Sequence, residues 1–288
     1  MQIGVVFPQT ELGGSAAVVR TYAEGVERLG FAHVLVYDHV LGADSSARPG
    51  WTGFYDHRDA FLEPLVLFAF LARECGLGFV TDVLVLPQRQ TALVAKQAAT
   101  LDLLAPGRLR LGVGIGWNDV EYDALGVEFM TRARRVEEQI PLLRRLWTEP
   151  TLDHVGETDT VAAAGIVPLP TRPIPIWIGS GTDARAVGRV GRLADGWLPM
   201  PQVRPQAGFE EAWAAVRAAA REAGRDPEAI GLEGNVHVRA EHVDRTRDRV
   251  ARWRDAGAGA VAFNPLRDGA RWPDGHLDVL LRAADALG

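Results

Sequence analysis

Gly107-Arg-Leu-Arg-Leu-Gly-Val-Gly-Ile-Gly-Trp117 follows directly on residues 91–104, a stretch with helical spacing of its apolar positions. The two together predict a helix, a left-handed glycine that stops it, and a short strand at 109–113. The same unit recurs outward in both directions. Strand-like runs fall at 3–7, 33–37, 77–82, 109–113, 174–178, 195–199, 230–238 and 259–263, and helical stretches at 15–29, 60–74, 91–104, 131–147, 182–192, 208–223, 243–256 and 274–287. Gly30, Gly76, Gly107, Gly224 and Gly257 close helical stretches where a left-handed residue is wanted.

Eight strand–helix units in 288 residues predict an α/β fold of one domain spanning 1–288, a (β/α)8 TIM barrel, and argue against a doubly wound sheet. Two connections exceed normal loop length: 40–59, and 148–173, an insertion between strands 4 and 5. If both follow strands on the C-terminal face, they wall a site there.

Composition narrows the function. With 47% hydrophobic and 24% charged residues the chain has the balance of a globular protein. The apolar run 65–72 is far too short to span a bilayer, and no charged segment followed by an apolar one opens the chain, so no membrane partner is expected and a cytoplasmic location is. The net charge of −6 and the lack of a basic cluster argue against a nucleic-acid partner. One cysteine, Cys75, excludes an internal disulfide and thiolate-rich zinc sites, and the histidines form no H-E-x-x-H, so no metal is expected. No G-x-x-x-x-G-K-[ST] and no G-x-S-x-G motif occurs.

Three places carry possible chemistry. Gly112, Gly114 and Gly116 end the fourth strand, but Trp117 stands where a dinucleotide fingerprint needs its last glycine. Either the backbone passes close to a neighbour there, or a flat ligand lies against it. Gly179-Ser-Gly181-Thr182 opens a helix after an apolar strand. Ser180 and Thr182 are helix caps, or the turn binds a phosphate, and the two roles are compatible. Asp38-His39 ends the second strand, where barrels place catalytic groups, and the two side chains face opposite ways. Glu121 is a solvated acid at a helix start or a carboxylate of the site.

In order along the chain, Gly30-Phe31, Asp38-His39, Leu77-Gly-Phe-Val-Thr-Asp-Val-Leu-Val-Leu-Pro87, Ala95-Lys-Gln-Ala-Ala-Thr-Leu-Asp102, Gly107 to Trp117, Glu121-Tyr122, Pro175-Ile-Trp-Ile-Gly179 and Asp195-Gly-Trp-Leu-Pro199 resemble the luciferase-like monooxygenase superfamily. The likeness is to its branch of coenzyme F420-dependent oxidoreductases. It implies a TIM barrel, a homodimer, and F420 across the C-terminal mouth exchanging a hydride with a substrate; the alternatives are an FMN-dependent monooxygenase with a flavin reductase as partner, and a non-catalytic barrel that binds the cofactor.

The resemblance further implies a non-prolyl cis peptide at Thr81 and Asp82 behind the ring, although the family more often has Ser or Gly where Asp82 stands. It implies a phosphate at the turn Gly179, Ser180, Gly181 and Thr182, and an imidazole, His39, moving a proton beside the ring. Phe7, Asp38, Thr81, Asp82, Gly114, Gly116 and Trp117 would join the cofactor site, with His39 and Glu121 as the catalytic pair. A catalytic Glu of the sugar-phosphate dehydrogenases lies where this chain has Trp117, so glucose-6-phosphate is not the expected substrate. Trp51, Phe54 and Tyr55 in the 40–59 loop point to a small, apolar organic substrate.

Overall fold

In the chain's computed structural model, which describes residues 1–11, 15–267, 269 and 273–288, strands and helices alternate from the first residues. β1 (Gln2–Val6), α1 (Ala16–Arg28), β2 (His33–Val36), α2 (Pro64–Glu74) and β3 (Gly78–Thr81) lead to a two-residue strand β4 (Leu84–Val85). Then come α3 (Thr91–Leu104), β5 (Leu109–Gly114), α4 (Asp119–Ala124), α5 (Arg132–Thr148) and the strands β6 (Leu152–Val155) and β7 (Thr160–Ala164). The chain finishes with β8 (Ile176–Ser180), α6 (Ala184–Leu193), β9 (Gly196–Pro199), α7 (Phe209–Glu222), β10 (Gly231–His237), α8 (Thr246–Asp255), β11 (Ala260–Asn264) and α9 (Asp274–Asp285).

Eight parallel strands run in the order β3-β2-β1-β11-β10-β9-β8-β5, and β3 pairs with β5 to close the barrel. β4 extends the edge of β5, with Leu84 opposite Val113. Alternation along each strand sorts the side chains: Val6, Leu35, Val80, Leu198 and Ala262 form one buried cluster inside the barrel, whereas Val5, Phe7, Val34 and Phe79 join the larger core beneath the helices.

The lower end of the barrel is filled by polar groups. His33 lies 2.6 Å from Glu233, Arg110 also pairs with Glu233, and the Arg110 guanidinium sits 4.3 Å over the Trp177 ring. Burial alone would raise the Glu233 carboxyl, but His33 and Arg110 hold it below the ordinary value.

Two local expectations are corrected. Gly30, Gly107, Gly224 and Gly257 have positive φ, whereas Gly76 does not: α2 ends in extended backbone at Cys75, and the Gly76 amide donates to Glu27 (2.7 Å). The 148–173 insertion does not wall the mouth. It follows a helix rather than a strand, so it leaves the barrel at its lower end, where the Thr171 amide donates to Asp102 (2.8 Å) and Lys96 to the Val167 carbonyl. Its hairpin β6–β7 runs along the outside of α5, and Glu138 accepts from the amides of Glu157 (3.1 Å) and Asp159 (3.0 Å) at the turn. No helix among the described residues is long and apolar enough to cross a membrane.

Candidate functional site

At the C-terminal mouth the chain leaves β2 and turns, which sends Asp38 and His39 in different directions. Asp38 is buried; it accepts from the Val85 amide (3.0 Å) and from Arg89 (2.8 Å), whose other nitrogen reaches Glu63 (3.0 Å). Its carboxylate therefore fixes the segment around β4.

His39 faces Glu121 instead. Glu121, on α4, is 1% exposed, so it is not a solvated helix-start acid. Its Oε1 lies 3.0 Å from His39 Nδ1 and accepts from the Val40 amide (3.1 Å), and its Oε2 accepts from Gln88 (2.9 Å). A carboxylate already accepting from two donors makes Nδ1 the protonated nitrogen and leaves Nε2 without a partner among the described residues. Three rings surround the imidazole, with centroids at 4.6 Å (Phe61), 5.3 Å (Tyr55) and 5.5 Å (Trp117). Trp51 and Phe54 pack on Trp117 in turn, and a cavity of about 340 Å³ opens beside His39, Tyr55 and Phe61.

Two glycines at the mouth are crowded by one side chain. A Cβ on Gly114 would meet Val83 Cγ2 at 2.3 Å, and one on Gly179 would meet Val83 Cγ1 at 2.4 Å. Gly112 faces the Thr81 carbonyl, where a Cβ would come within 1.9 Å, and the Thr81 hydroxyl donates to the Gly112 carbonyl (2.6 Å). Gly116 has φ +62° and abuts Val85. Close backbone approach thus accounts for Gly112 and Gly114. The non-prolyl cis peptide lies one bond later than expected, between Asp82 and Val83.

Burial drives the Asp82 carboxyl well above its ordinary value, Glu233 adds to the shift, and Arg110 opposes it. Tyr37, which burial also raises, lies close enough to feel Asp82, and its hydroxyl accepts from Asn264 (3.0 Å), which also donates to Asn235 (3.3 Å). Sequence reasoning missed Tyr37, Asn235, Asn264 and Gln88. The available signal was a polar residue next to apolar ones at Tyr37, just after β2, at Asn235 in β10 and at Asn264 ending β11; Gln88, in the turn after β4, carried none.

At the Gly179–Thr182 turn, the cap of α6 is neither Ser180 nor Thr182 but Asp183, which accepts from the Ala186 amide (3.0 Å). The Ser180 hydroxyl accepts from Trp197 Nε1 (2.9 Å) and donates to the Gly181 carbonyl (3.1 Å). Among the described residues the amides of Gly181, Thr182 and Asp183 have no acceptor, which leaves three successive donors at the rim. Phe7 lies elsewhere: it is fully buried, its ring meets Tyr22 of α1 edge-on at 5.3 Å, and its side chain faces the helical layer.

Comparison with known proteins agrees with this architecture. The uncharacterised protein Rv0940c of Mycobacterium tuberculosis is 42% identical over 183 residues, 61% of this chain and 62% of that protein, so the match spans less than two thirds of that relative. The F420-dependent glucose-6-phosphate dehydrogenase of Segniliparus rotundus is 29% identical over 230 residues, covering 77% of this chain and 63% of the relative. Among solved structures, an F420-dependent secondary alcohol dehydrogenase superposes with a TM-score of 0.80 at 17% identity, covering 100% of this chain and 99% of the other, a likeness of fold. The family described as luciferase-like monooxygenase matches residues 1–277, and the chain belongs to it.

Proposed function

We propose that this protein is an F420-dependent oxidoreductase that transfers a hydride between the deazaflavin C5 and a small, apolar organic substrate. The observation that carries the reading is the His39–Glu121 pair: a buried carboxylate fixes Nδ1 and leaves Nε2 without a partner among the described residues, on an imidazole that is packed by aromatic rings and lines a cavity. When bound, the cofactor supplies hydride chemistry, and the chain contributes orientation, exclusion of water and a proton. His39 Nε2 is the proton donor or acceptor, and Glu121 holds its tautomer. The three free amides of Gly181 to Asp183 suit a phosphate, and Val83, wedged against Gly114 and Gly179, gives the ring a firm backing.

The relatives that use F420 support this cofactor, and Trp117 on the His39 ring supports an apolar substrate in place of a sugar phosphate. The proposal includes a homodimer, since Leu62, Val66 and Phe70 form an exposed apolar line at and along α2.

Titration with F420 and, separately, with FMN tests the cofactor. Micromolar F420 binding with weak FMN binding is expected. Preferential FMN binding would replace the reading with an FMN-dependent monooxygenase that needs a flavin reductase as partner, checked by oxygen consumption.

A further inference from the structure

Residues 37–63, between β2 and α2, contain no helix or strand, yet they carry most of the aromatic wall beside His39. A connection of that length keeps one position only where other parts of the chain hold it. Its inner turn is held locally: the His57 amide donates to the Ala43 carbonyl (3.0 Å), the Asp56 amide donates to Asp59 (2.8 Å), and Gly42 lets the Asp56 backbone pass against it. Its outer side is held by a residue from the far end of the chain.

That residue is Arg267, just beyond β11. Its guanidinium sits 4.9 Å over the Tyr55 ring, donates to the Phe54 carbonyl (3.1 Å) and comes within 3.7 Å of Asp59. One planar fork thus meets a ring, a carbonyl and a carboxylate of the same segment, a combination that a lysine does not reproduce. The side chain is 57% exposed, so each contact alone is weak, but all three act on one stretch of backbone.

Arg267 is itself fixed. It has φ +60°, in the left-handed region, where a residue with a side chain stays only if its surroundings impose it. Its amide donates to Glu11, whose other carboxylate oxygen meets the buried His276 of α9, and its carbonyl accepts from Arg239 (3.4 Å). The clamp therefore starts from backbone that is tied to both ends of the chain.

Its load lies at the site. Tyr55 and Asp59 line the cavity beside His39, and the Tyr55 ring stands 5.3 Å from the imidazole and 4.9 Å from Phe61. The His39 side chain is 12% exposed, and a displaced Tyr55 would open it to water.

We propose that Arg267 is a positioning residue, which holds Tyr55 against His39, closes the outer wall of the cavity and keeps water from the imidazole. The proposal rests on the reading of His39 as the group that handles the proton.

Two measurements on the full chain, without cofactor or substrate, test it. The chain has four tyrosines, so incorporation of 3-fluorotyrosine gives four fluorine NMR signals, and Tyr55→Phe identifies the one from Tyr55. Arg267→Ala should shift that signal and leave those of Tyr22 and Tyr122 in place. Modification of His39 by diethyl pyrocarbonate, read by mass spectrometry, should quicken about two- to fivefold in Arg267→Ala, the loss of one exposed cation–π contact. Arg267→Lys, which keeps the charge but not the fork, should lie between, and Arg28→Ala, an exposed arginine of α1, should change neither reading. An unmoved Tyr55 signal, a His39 rate equal to that of the wild type in Arg267→Ala, or an equal response in Arg28→Ala overturns the proposal. Because F420 binding is measured separately, a chain that shows both responses but does not bind F420 keeps the clamp and loses the chemistry assigned to the cavity.

Discussion

Val83 fills the space that side chains at Gly114 and Gly179 would need, with one methyl 2.3 Å and the other 2.4 Å from the Cβ positions of the two glycines. Rotating the valine does not help, because relieving one contact drives a methyl toward the other glycine. We expect Gly114→Ala to destabilise the protein by about 1 to 3 kcal/mol, measured by urea unfolding. Adding Val83→Ala should recover part of the loss. A Gly114→Ala variant as stable as the wild type would remove the interlock.

His39 and Glu121 separate chemistry from binding. His39→Ala should lower turnover by about 10²- to 10³-fold while cofactor affinity changes little, since the imidazole handles a proton and does not hold the ring. Glu121→Gln keeps the shape but gives the tautomer of His39 a second choice. A smaller fall in kcat and a displaced pH–rate profile are expected. Unchanged turnover in His39→Ala ends the assignment.

Asp82 titrates well above 3.8 in the folded chain, so folding favours its protonated form. The unfolded state loses that proton near the ordinary value, and from there stability falls with rising pH until the folded carboxyl ionises, after which the loss is constant. Asp82→Asn removes this term. Its melting temperature should match the wild type near pH 3.5 and exceed it increasingly toward neutral pH. A gap that is the same at every pH would show that Asp82 is not the titrating group.

Phe70 and Val66 stand one helical turn apart on α2, 38% and 67% exposed. Phe70→Arg should convert the proposed dimer to a monomer in light scattering without changing the circular dichroism spectrum. A wild-type chain that is monomeric at micromolar concentration refutes the dimer.

The barrel was legible because each helix and strand carries its own period, and α3 begins and ends at the residues that spacing alone gives. Less legible elements fail for identifiable reasons. The strand reading ends at residue 82 and leaves 83–87 unassigned, so the two-residue β4 is missed, and the cis bond that the family likeness puts at Thr81 and Asp82 falls one bond later. The hairpin β6–β7 is mostly exposed and presents no apolar alternation. Ser180, Thr182 and Asp183 are all good caps, and only the position of the Asp183 oxygen against the Ala186 amide chooses among them. The likeness to a known family supplied His39 and Glu121 as a pair; spacing alone does not join residues 82 positions apart.

The polar plug of His33, Glu233 and Arg110 under Trp177 gives the barrel a floor. The interior above it is packed by Val6, Leu35, Val80, Leu198 and Ala262, so the barrel is a solid stem and not a passage, and every ligand of the proposed chemistry enters and leaves by the C-terminal mouth.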